Sequence, residues 1–331
     1  IYTLSLHDAL PILASAATIY DTVVPTISGV VINSGDSFTN HKANNTIRVS
    51  VTDATSGVTK LTLSCANNEI TPIGDITFTA DDRTAGYKDI TFAFTESAAD
   101  GVKTINVTAT DFAGNTCAAS NDTITLDTTP AEGTLVLRTA DDSAALPSFI
   151  NAYDYAAAIE SQDTDIVQYK VWEGTTEPSS WSAWHGSAGR QVDKNLEFSA
   201  GEGQKTVYAK IKDISGNVTD LTPIIVTVDT TAPVVTLSAS PTVISAQSGH
   251  NQVTFTCGAT DTHSAQGMNY SLKVDDTEIK TGTFTSSVVV SEAEIVAKSS
   301  GQGQKSFVLE VTDVAGNTGI SSAVIVTVDL T

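Results

Sequence analysis

The sequence predicts an all-β fold, a tandem array of antiparallel β-sandwich domains, on three observations. A Lys, an Asp eight residues on and another Asp sixteen beyond recur as Lys103–Asp111–Asp127, Lys205–Asp213–Asp229 and Lys305–Asp313–Asp329. The middle Asp advances by 102 and then 100 residues, while the spacing inside each copy does not drift. A period of that length belongs to a whole small domain, so the copies are beads on a string and not solenoid turns. Third, apolar and polar residues alternate around each anchor, in short Thr/Val-rich runs separated by Gly, Asn, Asp and Ser. Roughly 100 residues of such strands and turns make a sandwich.

Taken in chain order, the first twelve residues, IYTLSLHDALPI, obey none of these patterns. With LASAA behind them they have the outline of a signal peptide, but the basic leading region is missing, since the first Lys or Arg is Lys42. The segment matches, residue for residue, the translation of a common short-read sequencing adapter. Residues 1–12 are therefore expected to be an artefact, and the chain a metagenomic fragment. ATIYDTVVP (17–25) echoes TITLDTTP (123–130) and VTVDTTAP (226–233), so residues 13–23 are expected to end a preceding, truncated repeat with Asp21 at its anchor. Three sandwiches are expected over 24–129, 130–231 and 232–331. The last stops at VDLT (328–331), where a further linker would begin, so the chain reads as a window from a longer array.

Each copy centres on one phrase: VKTINVTATDFAGNT (102–116), QKTVYAKIKDISGNV (204–218) and QKSFVLEVTDVAGNT (304–318). Ile105, Val107 and Ala109, Val207, Ala209 and Ile211, and Phe307, Leu309 and Val311 share one parity, which marks a strand with one buried face. Lys103, Lys205 and Lys305 open these strands with their stems over apolar surface. The following Gly-Asn supplies residues that tolerate positive φ, as a tight hairpin turn needs. The return strands TITLD (123–127), IVTVD (225–229) and IVTVD (325–329) make the last two strands of each domain a hairpin. No stretch longer than about one turn reads as amphipathic helix. Cys65 and Cys257 have the inward parity of LTLSC (61–65) and VTFTC (253–257) and are expected to be buried thiols. Cys117 has the opposite parity from Ile124 and Leu126. A Cys65–Cys117 disulfide stays open, without a repeated Cys framework behind it.

Lys+Arg is 17 against 38 Asp+Glu, a net charge of −21, which disfavours nucleic acid and anionic membrane surfaces as partners. The acidity is spread along the chain, as on a solvated surface. No 18-residue apolar run exists for membrane insertion in this segment. His41, His185, His250 and His263 are scattered, and no HExxH, GxSxG, P-loop or CxxC occurs, so no catalytic residue is assigned and the chain is not expected to be an enzyme.

TDVAGNT (312–318) and VTVDTTAP (226–233) resemble the tandem Ig-like repeats of very large bacterial surface adhesins. YKVWEGTTEPSSWSAW (169–184) with LEFSAGEGQKTVYAKIKDISGN (196–217) looks like Ig-like modules of bacterial surface proteins and of phage tail-associated proteins. The resemblance implies Ig-like sandwiches acting as spacers or adhesion units. The leading expectation is a structural stalk segment of a secreted or cell-surface bacterial adhesin. Its partners would be the adjacent repeats of the same chain and an unidentified host-surface or glycan receptor. A phage virion tail or fibre protein is the alternative, and a carbohydrate-binding accessory region of a secreted glycosidase the third. Strands of 8–10 residues at about 3.3 Å rise, with loops, would give roughly 35–45 Å per domain.

In an Ig-type sandwich the turn between the last two strands lies beside the incoming linker. Linker and turn carboxylates should therefore approach in pairs: Asp21 with Asp111, Asp127 with Asp213, Asp229 with Asp313. A neighbouring loop offers Asp53, then Asp163 and Asp165, then Asp261. Three or more carboxylates from three segments, with backbone carbonyls, suit Ca²⁺ as the cofactor, if the chain has one. The competing account is an Asx turn at each turn Asp and a strand stop at each linker Asp. Trp172, Trp181 and Trp184, near Tyr169 and His185, are either a sugar-stacking platform or core under a longer loop, and core is the favoured account.

Overall fold

A computed structural model describes residues 20–186 and 189–331. The adapter-like residues 1–12, and 13–19 of the expected preceding repeat, lie outside the described residues. The chain divides into two compact units, one ending at Pro130 and including Asp213–Asn217, the other made of Ala131–Lys212 and Val218–Thr331.

In the first unit a four-stranded sheet orders Thr26–Ile32, Asn45–Thr52, Tyr87–Phe94 and Ile70–Thr71. A five-stranded sheet orders Phe38–Thr39, Ser120–Leu126, Gly101–Asp111, Val58–Cys65 and Gly74–Thr77. Period-two alternation puts Ile47, Val49 and Val51 of one sheet and Leu61, Leu63, Ile105, Val107 and Ala109 of the other into one core, each at most 1% exposed. Each such Val, Leu or Ile stabilises the sandwich by about 1.5–3 kcal/mol.

The second unit holds two further cores. Around the first, a three-stranded sheet (Thr134–Arg138, Asp154–Glu160, Arg190–Glu197) faces a six-stranded one built on Gly203–Asp213 and Ile166–Glu173. Around the second, Val234–Ser240, Gln252–Thr260 and Ser287–Ser291 face a six-stranded sheet built on Gly303–Thr312 and Asn269–Val274. The repeated stripe is buried in both: Val207, Ala209 and Ile211, then Phe307, Leu309 and Val311.

The repeated charges lie on the same inward face. Lys103, Lys205 and Lys305 bound the stripe at one end, and Asp111, Asp213 and Asp313 at the other, all buried. A buried ammonium is tolerated only when bonded. Lys103 Nζ meets Glu69 Oε2 at 2.7 Å, Lys205 Nζ donates to the Ser199 carbonyl at 2.7 Å, and Lys305 Nζ to the Ser300 carbonyl at 2.9 Å.

The structure departs from the sequence reading in three places. Each sandwich contains one short parallel pair, Phe38↔Thr125, Phe149↔Thr227 and Val243↔Thr327, where an early segment joins the sheet of the closing strand. The return strands of the second unit come in two pieces. Val218–Asp220 and Thr318–Ile320 pair with the strand ends, and Ile224–Val228 and Val324–Asp329 with the strand starts. Two short α-helices occur among the described residues, Ala80–Ala85 and Glu292–Lys298, each fixed by a reciprocal capping box, Thr79 with Asp82 and Ser291 with Glu294. All three cysteines are free: Cys65 and Cys257 are buried as expected, and Cys117 accepts the Ala109 N–H at its Sγ instead of pairing.

Candidate metal centres

Each repeated turn begins at the buried end of its strand, where the repeated Asp folds back on its own loop. Asp111 Oδ1 accepts the Asn115 N–H at 2.8 Å and its Oδ2 accepts Asn115 Nδ2 at 2.8 Å. Asp213 repeats this with Asn217 at 2.9 and 2.9 Å, and Asp313 with Asn317 at 2.9 and 3.0 Å. Burial opposes ionisation of Asp111. The Asn115 side chain and the loop N–H groups outweigh it and hold the carboxyl below its ordinary range. The Asx-turn account is thus correct as far as it goes.

The Asn residues do something the sequence reading missed. Left-handed backbone falls on Gly114, Gly216 and Gly316 (φ 93°, 94° and 97°) and not on the Asn that follows each. The Asn is needed for its amide. Asn115 Nδ2 donates to the Asp21 carbonyl at 3.0 Å, Asn217 Nδ2 to that of Asp127 at 3.1 Å, and Asn317 Nδ2 to that of Asp229 at 2.8 Å. One amide therefore reads both the turn carboxylate and the backbone of the linker Asp. The signal was available as an Asn recurring at a fixed place in all three copies.

This clamp gathers carboxylates. Asp21, Asp53 and Asp111 place one oxygen each within 4.8 Å of one another, and so do Asp229, Asp261 and Asp313. Asp21 and Asp111 are 8% and 1% exposed, Asp229 and Asp313 0% and 4%. The loop Asp is oriented by its own N–H donors: Asp53 Oδ1 by Thr55, Ser56 and Gly57, Asp261 Oδ1 by His263 and Ser264. The other oxygen, Oδ2 in both Asp53 and Asp261, is buried and has no hydrogen-bond partner. Each linker Asp is fixed as well. Asp21 accepts the Val23 and Ser56 N–H groups, and Asp229 the Thr231 N–H and the Ser264 hydroxyl. A dehydrated carboxylate oxygen without a donor, among other carboxylates, calls for a cation.

Of the remaining expected ligands, Asp127 accepts the Thr129 N–H at 3.2 Å and the Ser215 hydroxyl at 2.7 Å. Asp163 takes the Glu132 N–H at its Oδ2. Asp165 lies in the loop between Asp154–Glu160 and Ile166–Glu173. A further linker contact was missed. Three residues before each buried Lys stands a side chain that accepts from the outgoing linker: Asp100 from Thr128 and Thr129, Glu202 from Thr230 and Thr231, Gln302 from the Leu330 N–H.

The three tryptophans have different surroundings. Trp184 packs against the core beside Tyr169. Trp172 and Trp181 lie outside that core: Trp172 stacks on Tyr208 at 5.5 Å, and Trp181 carries Lys170 Nζ at 4.4 Å and Lys212 Nζ at 4.2 Å from its ring centroid. These rings are half-buried, and His185 is exposed.

No family description and no curated protein matches the chain. Among solved structures, part of a 1.5-MDa bacterial ice-binding adhesin, described for its host cell surface retention, is 18% identical over 92% of this chain and 100% of its own, with a TM-score of 0.40. A Ca²⁺-stabilized adhesin with which an Antarctic bacterium binds ice is 23% identical over 92% of this chain and 75% of its own (TM-score 0.39). Fibronectin(III)-like modules of Clostridium thermocellum CbhA are 15% identical over 60% of this chain and 94% of theirs (TM-score 0.36). Identities and scores at this level do not establish a family.

Proposed function

We propose that the chain is a non-catalytic spacer segment of a secreted or cell-surface bacterial adhesin, composed of sandwich domains over 24–129, 130–231 and 232–331 and stiffened by Ca²⁺ at its linkers. The observation that carries the reading is the repeated carboxylate triad, in which a linker Asp, a loop Asp and a turn Asp meet, with a buried Oδ2 of Asp53 and of Asp261 left without a hydrogen-bond partner. An oxygen-only donor set of this kind suits a hard cation, and the linker carbonyls and water supply the remaining ligands. The ion would neutralise the carboxylates and bind the linker to the domain that follows, so its binding energy would appear as stability and orientation.

Titration calorimetry with Ca²⁺, paired with thermal unfolding, tests this. Ca²⁺ should bind with measurable heat at millimolar concentration or below and raise the melting temperature. Asp313→Asn should remove the response of the third sandwich and leave that of Asp21, Asp53 and Asp111 in place. No heat and an unchanged melting temperature would sink the calcium reading. The spacer reading is tested apart from it by small-angle scattering, where a compact particle would refute it.

A further inference from the structure

At one place in the second unit a histidine joins the carboxylates. The loop Asp261-Thr262-His263-Ser264 corresponds to Asp53-Ala54-Thr55-Ser56 of the first unit, and each Asp fixes its loop through the N–H groups two and three residues on. His263 therefore takes the backbone place of Thr55. Its ring faces Glu202, with Nδ1 3.4 Å from Oε2, and an oxygen of Asp229 completes a group whose ligand atoms all lie within 4.8 Å of one another. His263 Nδ1 is shielded from solvent and has no hydrogen-bond partner. Glu202 is fixed from its far side: Oε1 accepts the Thr230 N–H and the hydroxyls of Thr230 and Thr231. A shielded imidazole nitrogen set against two anchored carboxylates is a place that stabilises a positive centre between them.

We propose that Glu202, Asp229 and His263 bind a divalent ion of the zinc class. One imidazole nitrogen with two carboxylate oxygens is a borderline donor set, which Zn²⁺ accepts and which differs from the all-oxygen shell that Ca²⁺ takes. Three protein ligands leave a fourth position for water. The ligands come from three separate stretches: the turn before strand Gly203–Asp213, the linker, and the loop after strand Gln252–Thr260. The ion would fasten these together. Asp229 also belongs to the carboxylate triad, but the zinc site stands whether or not that triad takes Ca²⁺. The other loop has Thr where a nitrogen ligand would be required, so the chain carries its own negative control.

The test uses the whole chain, stripped of metal, titrated with Zn²⁺ and Co²⁺ both without Ca²⁺ and with Ca²⁺ in excess. The proposal expects one tight Zn²⁺ equivalent, a rise in melting temperature with Zn²⁺, and visible absorption from bound Co²⁺ of the kind low coordination gives. His263→Thr, which installs the residue of the first unit, should abolish all three while keeping any response to Ca²⁺. Glu202→Gln should weaken Zn²⁺ binding at least tenfold and guards against a folding defect in the first variant. Absence of a tight Zn²⁺ equivalent in the parent chain would overturn the proposal. So would an equivalent that both variants retain. Loss of the Ca²⁺ response with Zn²⁺ binding intact would count against the calcium reading alone.

Discussion

Asn317 shows how much one side chain decides. Its amide bonds the Asp313 carboxylate at 3.0 Å and the Asp229 carbonyl at 2.8 Å, both partly buried. Asn317→Ala leaves two acceptors without that donor and should cost about 1–3 kcal/mol, read as a lower denaturant midpoint for the third sandwich. Thr318→Ala, next along the chain, touches neither acceptor and should change the midpoint far less. A sequence alone presents Asn after Gly as turn chemistry, because the turn is local. What the amide reaches is 88 residues away, and only the folded linker reveals it.

Among the elements, the short helix Glu292–Lys298 gives a pH prediction. Hydrogen bonds from Lys280 and from Ser291 hold the Glu294 carboxyl down to about 2, from an ordinary 4.5. A carboxyl depressed in the folded state binds protons more readily when unfolded. Its stabilising contribution is therefore complete above about pH 4.5 and is lost as pH falls towards 2. Urea midpoints measured at pH 7 and pH 3 should fall in the parent chain, and the fall should be smaller in Glu294→Gln. The strands of the repeated phrase were legible because alternation over eight or more residues has no competing explanation. The helices were not, because six or seven residues give no period, although Ser291-x-x-Glu294 was already a capping-box signal. The parallel pairs escaped for a similar reason: two or three residues cannot announce a partner more than 75 residues away.

For the molecule as a whole, the separate cores imply separable unfolding. Phe307 is fully buried against Phe255, with ring centroids 4.6 Å apart. Phe307→Ala should cost about 3–5 kcal/mol in the third core. In a calorimetric scan the transition of the first unit should keep its midpoint, and a shift of every transition together would contradict independent cores. Repetition made the anchors of the candidate site readable before any coordinates, while Glu202 was hidden because its place holds Asp, Glu and Gln in the three copies, and His263 because Thr55 stands in the corresponding loop of the first unit. The bracketed stripe between Lys and Asp has a further consequence, for how the chain can change in length. Deleting one residue between Lys305 and Asp313 reverses the parity of everything beyond it and sends apolar side chains outward. Deleting two restores parity but pulls Asp313 back by about 7 Å, off its linker. Substitutions can accumulate along this stretch, but insertions and deletions cannot. The 102- and 100-residue advances between copies show where the slack is taken up, in the connections outside the eight-residue measure.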